Sequence, residues 1–140
     1  MSKADTKRKK TEAERFGDLP LQIRQAAQAA QDKKALDLAV LDVRDESSFT
    51  DYFVICSGQN ARQAKAIADA VEESLLRDRT RPAHVEGYDR AEWVLLDYFD
   101  FIVHIFTPTM REFYALERLW GNAERIAVPE PGPGPGEPGS

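Results

Sequence analysis

Cysteine is nearly missing from this chain: Cys56 stands alone among 140 residues, which excludes an internal disulfide framework and points to a reducing compartment. Histidine is almost as scarce. His84, His104 and Cys56 are the only good soft ligands or bases, and their spacing matches no metal motif. No apolar run approaches the ~20 residues that span a bilayer. The basic N-terminus has no apolar segment behind it, so no secretory signal is read and a cytoplasmic location is expected, with no membrane partner. A Gly-rich dinucleotide fingerprint and a P-loop are both lacking, and no internal repeat is seen. Together these gaps argue against metal, redox and nucleotide chemistry, and no cofactor is expected.

What is present suits one soluble domain with one real core: 42% hydrophobic and 31% charged residues. Charge is unevenly spread over the net −5. Residues 1–15 hold six of the 19 Lys and Arg, and the remainder, with 13 basic and 21 acidic residues, carries −8. Such an acidic body is repelled by phosphate backbones and suits a basic protein partner. The run Lys7-Arg8-Lys9-Lys10 reads as a solvated arm whose contact with RNA is at most peripheral. The last twelve residues hold five of the eight prolines and four of the eight glycines, a composition that builds neither helix nor ladder. The expected organisation is therefore a disordered basic arm over 1–17, an α/β domain over 18–124, and a disordered Pro/Gly-rich tail over 125–140.

Periodicity supplies the elements. Asp18 is placed to cap a helix with Pro20 in its first turn and a stripe of Ile23, Ala26, Ala27 and Ala30. Ala35–Val43 and Tyr52–Ser57 read as strands. Asn60, with Gln63 behind it, opens a second helix whose buried stripe is Ala64, Ile67, Ala68, Val71 and Leu75. A short strand near Ala83–Glu86 precedes a hairpin. Thr109 and Glu112 then form a capping box for a third helix lined by Met110, Phe113, Leu116 and Trp120 and stopped by Gly121. The order α-β-β-α-β-β-β-α predicts one mixed five-stranded sheet with helices packed on it.

The segment Glu92–Trp120 is the most informative. A two-residue loop at Tyr98-Phe99 sets Asp97 opposite Asp100 and Trp93 opposite His104. Alternation then gives a core face of Val94, Leu96, Phe101, Val103 and Ile105. The other face carries Trp93, Leu95, Asp97, Asp100, Ile102, His104 and Phe106, and it reads as a surface built to meet a partner. Two opposed carboxylates destabilise a sheet unless they bond the turn's own amides or meet Arg or Lys of a basic partner; both readings stand. Trp93, Leu95 and Phe106 are either covered by the protein's own helices or left open, since three helices must cover two faces.

The phrases SSFTDYFVICSG (47–58), RQAKAIADAVEE (62–73), EGYDRAEWVLLDYFDFIVHIF (86–106) and REFYALERLWG (111–121) resemble the ribosomal silencing factor family, RsfS, also called Iojap, collinearly over about residues 19–122. The resemblance implies a nucleotidyltransferase-like α/β fold without catalysis, and binding to the fourteenth protein of the large (50S) ribosomal subunit. It further implies a steric block to joining of the small subunit, repression of translation under nutrient limitation, a role in large-subunit assembly in organelles, and a homodimer off the ribosome. Carried over by position, the partner-binding residues are Trp93, Leu95, Asp97, Tyr98, Asp100 and Phe106, with Glu86 and Gly87 before the hairpin. One departure stands out: the family usually reads Asp-Tyr-Gly-Asp at the turn, and here Phe99 replaces the glycine, at a cost of ~1–2 kcal/mol if φ there is positive. Fold ancestry also raises a nucleotide-transferring enzyme, with Ser57-Gly58 as its phosphate turn, but Gln59–Ala68 holds no acid to bind the metals such transfer needs. An RNA-binding assembly module using the basic arm is the third reading.

Overall fold

Two six-residue strands, β2 (Tyr52–Ser57) and β5 (Phe101–Phe106), are buried at every position and pair in parallel, Tyr52 opposite Phe101 through Ser57 opposite Phe106. Both are nearly continuous apolar runs, as strands covered on both faces must be. The structure is a computed structural model and describes residues 10–130, the side chains of residues 113, 114, 116 and 117 excepted. The expected arm at Lys7–Lys9 and most of the Pro/Gly tail lie outside the described residues.

Around that central pair the sheet is completed by β1 (Leu36–Asp42), β3 (His84–Glu86), β4 (Trp93–Asp97) and β6 (Glu124–Ala127), in the order β3-β4-β5-β2-β1-β6. It has six strands, not the five expected. The added strand, β6, pairs antiparallel with β1 on one margin and buries only Ile126, too weak an apolar signal to stand out in a short charged segment. A helix the sequence reading also lacks, α1 (Glu12–Gly17), opens on a capping box: Thr11 Oγ1 accepts from Glu14 N, and Glu14 Oε1 accepts from Thr11 N. Phe16 anchors α1, and Arg15 pairs with Glu124 of β6 at 2.5 Å. Asp18 therefore ends α1, and α2 (Leu21–Asp32) starts behind Pro20 with no side-chain cap.

The helical stripes fall where periodicity puts them. Ile23, Ala26, Ala27 and Ala30 of α2, and Ala64, Ile67, Ala68, Val71 and Leu75 of α3 (Ala61–Leu76), are buried against Val40, Val54, Val94, Leu96, Phe101, Val103 and Ile105. Burying each large aliphatic side chain contributes about 1.5–3 kcal/mol. Asn60 caps α3 by accepting from Gln63 N at 3.0 Å, and Gln63 reaches back to Gln59 N while donating to the Lys33 and Lys34 carbonyls that end α2. That one glutamine ties the start of α3 to the end of α2.

The other face has its own smaller core of Leu41, Val43, Phe53, Ile55, Ile102 and Phe106, flanked by half-buried Trp93, Leu95, Met110, Trp120 and Ala123. Among the described residues, its helical cover comes from α4 (Pro108–Tyr114) through Met110, and Trp120, just beyond α5 (Leu116–Leu119), packs on the same face. A single third helix was expected. Ala115 at φ 48° breaks it, and Thr107 precedes it without a side-chain bond, so no Thr109–Glu112 box forms. Of the expected inner stripe, Met110 and Trp120 pack on this face; Phe113 and Leu116 lie outside the described side chains.

The hairpin register differs from the expected one by two residues. Trp93 lies opposite Phe106, Leu95 opposite His104 and Asp97 opposite Ile102, so Asp97 does not face Asp100. Because the shift is even, every side chain keeps its expected face. The loop centres on Phe99-Asp100, with Tyr98 N donating to Phe101 O at 2.9 Å and Asp100 N to Tyr98 O at 2.9 Å. Phe99 takes φ 72°. Asp97 Oδ1 accepts from Phe99 N at 2.8 Å and Thr50 Oγ1 donates to Phe99 O at 2.8 Å, holding the backbone where a glycine would sit without strain. Gly87, at φ 78°, sits where a Cβ would meet the Trp93 carbonyl oxygen at 2.0 Å, so the chain entering β4 has no room for a side chain there.

Two outcomes follow for stability. Phe99→Gly relieves the left-handed strain, partly offset by a looser unfolded chain, and should raise stability by about 0.5–1 kcal/mol in urea denaturation. Gly87→Ala combines strain with a backbone clash and should lower it by about 2 kcal/mol or more in the same assay.

Candidate functional site

Each carried-over residue has a definite place. Trp93, Leu95 and Asp97 alternate on the second sheet face, all half-buried. Asp100, Glu86 and Gly87 are exposed. Phe106 is buried beneath Trp93, rings stacked with centroids 5.0 Å apart. Tyr98 is also buried, but on the opposite face, stacked on Phe101 at 4.9 Å, and burial together with the Glu72 charge pushes its phenol pKa up. The structure therefore brings Trp93, Leu95, Asp97 and Phe106 together on one face, with Asp100 at its tip. It leaves Tyr98 among the groups that hold the hairpin from behind.

This face is not sealed by the protein's own helices. Sequence reasoning lacked one exposed member of it: Phe49, 62% exposed in the β1–β2 loop, whose ring meets Phe53 at 6.5 Å and Trp120 at 6.3 Å. Its signal was an isolated apolar residue in the polar stretch Asp45–Asp51, legible as a surface aromatic only once β2 had fixed the loop beside it.

His104 organises the face from beneath. Trp93 Nε1 donates to His104 Nδ1 at 3.0 Å, which fixes the orientation of the indole. Since Nδ1 accepts, the neutral ring carries its proton on Nε2, and Nε2 is buried with no hydrogen-bond partner. Phe53 lies edge-to-face at 4.8 Å, Trp93 and Phe106 close the aromatic wall, and Leu95 sits opposite. With no charged neighbour contributing, burial alone drives the imidazole pKa down to about 3.

The Ser57-Gly58 turn serves packing. Ser57 is buried, Gly58 N donates to Phe106 O at 2.8 Å, and a Cβ on Gly58 would lie 2.7 Å from Ala64 N, so strand and helix meet with no room for a side chain. Arg111 Nη1 fills the nearby position, donating to Asp37 O at 2.7 Å and reaching Ser57 Oγ at 3.4 Å. Cys56, wholly buried, has its thiol pKa raised to about 12 and is inert as a nucleophile. Among the described residues, no three His, Cys, Asp or Glu side chains gather to hold a metal, and no helix is long and apolar enough to cross a membrane.

The buried histidine makes stability depend on pH. Its folded pKa lies below the unfolded value of 6.5, so below that pH the unfolded chain binds a proton the folded chain refuses. The stability present above the unfolded pKa is lost as pH falls toward about 3. Between about pH 7.5 and pH 5 the wild type should lose about 2 kcal/mol more than His104→Gln, as read by denaturant unfolding at the two pH values.

Comparison with known proteins places this geometry. Residues 17–137 match the family model described as ribosomal silencing factor during starvation. Ribosomal silencing factor RsfS of Bacillus subtilis is 41% identical over 98 residues, covering 70% of this chain and 83% of that protein. The mouse protein named for mitochondrial assembly of the ribosomal large subunit is 35% identical over 91 residues, 63% of this chain and 40% of that one. A crystal structure of a Chromobacterium violaceum protein superposes with a TM-score of 0.70 at 31% identity, covering 80% of this chain and 96% of that chain. A mixed α/β fold is thus shared with that crystal structure over 80% of this chain, and this protein belongs to the ribosomal silencing factor family.

Proposed function

We propose that this chain represses translation without catalysis, by docking on the large ribosomal subunit through its fourteenth protein and occupying the space the small subunit needs. The observation that carries the reading is the unequal cover of the two sheet faces. Helices α2 and α3 bury most of one face, whereas α4 and Trp120 leave Trp93 and Leu95 half-buried on the other, with Asp97 and Asp100 at the rim. An aromatic anchor ringed by acids suits a basic protein, because the ring supplies desolvated contact area and the carboxylates supply charge-assisted bonds. The acidic body disfavours rRNA as the main contact. Family membership and the name of the mouse relative both speak for the large subunit.

In this reading the protein acts in the cytoplasm as a wedge: an ordered domain seated at the subunit interface excludes the other subunit by volume alone. Off the ribosome the protein pairs with a second copy. Conditions of nutrient limitation are those in which the block operates.

Sucrose-gradient sedimentation tests this directly. Purified large subunits should carry the protein, and adding it should reduce formation of joined ribosomes. Trp93→Ala should fold normally yet lose at least about 2 kcal/mol of large-subunit binding, the scale of an aromatic hot spot. Full binding by Trp93→Ala would remove the hairpin face from the reading.

A further inference from the structure

Two phenylalanines are exposed at the hairpin end of the sheet: Phe49, 62% exposed, and Phe99, 71% exposed. They line a surface cavity of about 270 Å³ together with Ser47, Asp51 and Asp100. The two loops that carry them are fastened to each other. Thr50 Oγ1 donates to Phe99 O at 2.8 Å, and Asp51 N donates to Asp100 O at 3.0 Å, so the two loops are held together before anything binds.

Strand alternation puts Asp51 on the side of Phe53 and Asp100 on the side of Ile102, which is the half-covered face. Both carboxylates are exposed, and neither has an ion-pair partner among the described residues. The cavity is therefore a slot with aromatic walls and two acids, continuous through Phe49 and Trp120 with the face that carries Trp93.

We propose that this slot receives an arginine side chain from a basic protein segment of the docking partner, an inference that rests on the docking reading above and names its chemistry at the hairpin tip. A guanidinium is planar, so it stacks on an aromatic ring while its N–H fork reaches two carboxylates at once. Lysine offers a point charge that stacks poorly and keeps its water. A phosphate-bearing ligand would meet two like charges. The ring of Phe99 stands in solvent above a backbone that a glycine would adopt without strain, and it lines the slot beside Asp100.

The probes are blocked tetra-arginine and tetra-lysine peptides, followed by NMR at the Phe49 and Phe99 rings and the Asp51 and Asp100 amides of the full chain. Tetra-arginine should shift these signals at about ten-fold lower concentration than tetra-lysine. Asp51→Asn with Asp100→Asn, and separately Phe99→Gly, should abolish that preference and weaken large-subunit binding about ten-fold, with folding retained. Equal response to the two peptides overturns the slot, as does unchanged subunit binding by both variants. Loss of self-association with subunit binding intact assigns the slot to a second copy and overturns it too. Discrimination between the peptides by a wild type that does not bind large subunits supports the slot and removes the docking reading instead.

Discussion

Everything in this fold depends on a parallel pair of strands, β2 and β5, that is apolar on both sides. A strand of that kind cannot lie at a solvent boundary, so both faces of the sheet must find cover. Alanine-rich α2 and α3 come close enough to the first face to seal it, and Gly58 lets the backbone of β2 approach α3. The second face receives the short helix α4, ended by a left-handed alanine, and Trp120 beyond α5. The proposed partner surface is thus the less covered side of the same core that stabilises the chain, so one stretch of sequence would serve both folding and recognition.

His104 shows how that surface is kept open without becoming loose. An aliphatic residue there would fill the same space and remove an orphaned N–H, whose burial costs about 1–3 kcal/mol. The imidazole instead gives the Trp93 indole a fixed acceptor. An anchor whose orientation is preset loses less entropy on docking than a freely rotating ring.

Much of this was legible in the sequence, for physical reasons that also mark the limits. Ile67, Ala68, Val71 and Leu75 recur at helical spacing, and burial follows spacing directly. Face membership in the hairpin survived a register error because a shift of two preserves alternation; the pairing itself was misread, since Tyr98-Phe99 and Phe99-Asp100 are equally short loops until hydrogen bonds choose between them. The family resemblance pointed to the hairpin as the contact surface, yet it gave Tyr98 no burial and Phe49 no role. Both depend on which loops lie beside the strand ends. The elements missed, α1 and β6, each hang on one buried side chain, Phe16 or Ile126, and on the Arg15–Glu124 pair between them, a long-range partnership that no local window reveals.

That clasp of α1 on β6 also sets where the ends of the described chain lie. Lys10 is tied to Asp18 beside β6, and the Pro129 carbonyl accepts from Gln31 at 2.6 Å, so both approach the β6 margin, across the whole width of the sheet from β3 and β4. Reporters or tethers joined beyond these points start from the margin remote from the edge formed by β3 and β4.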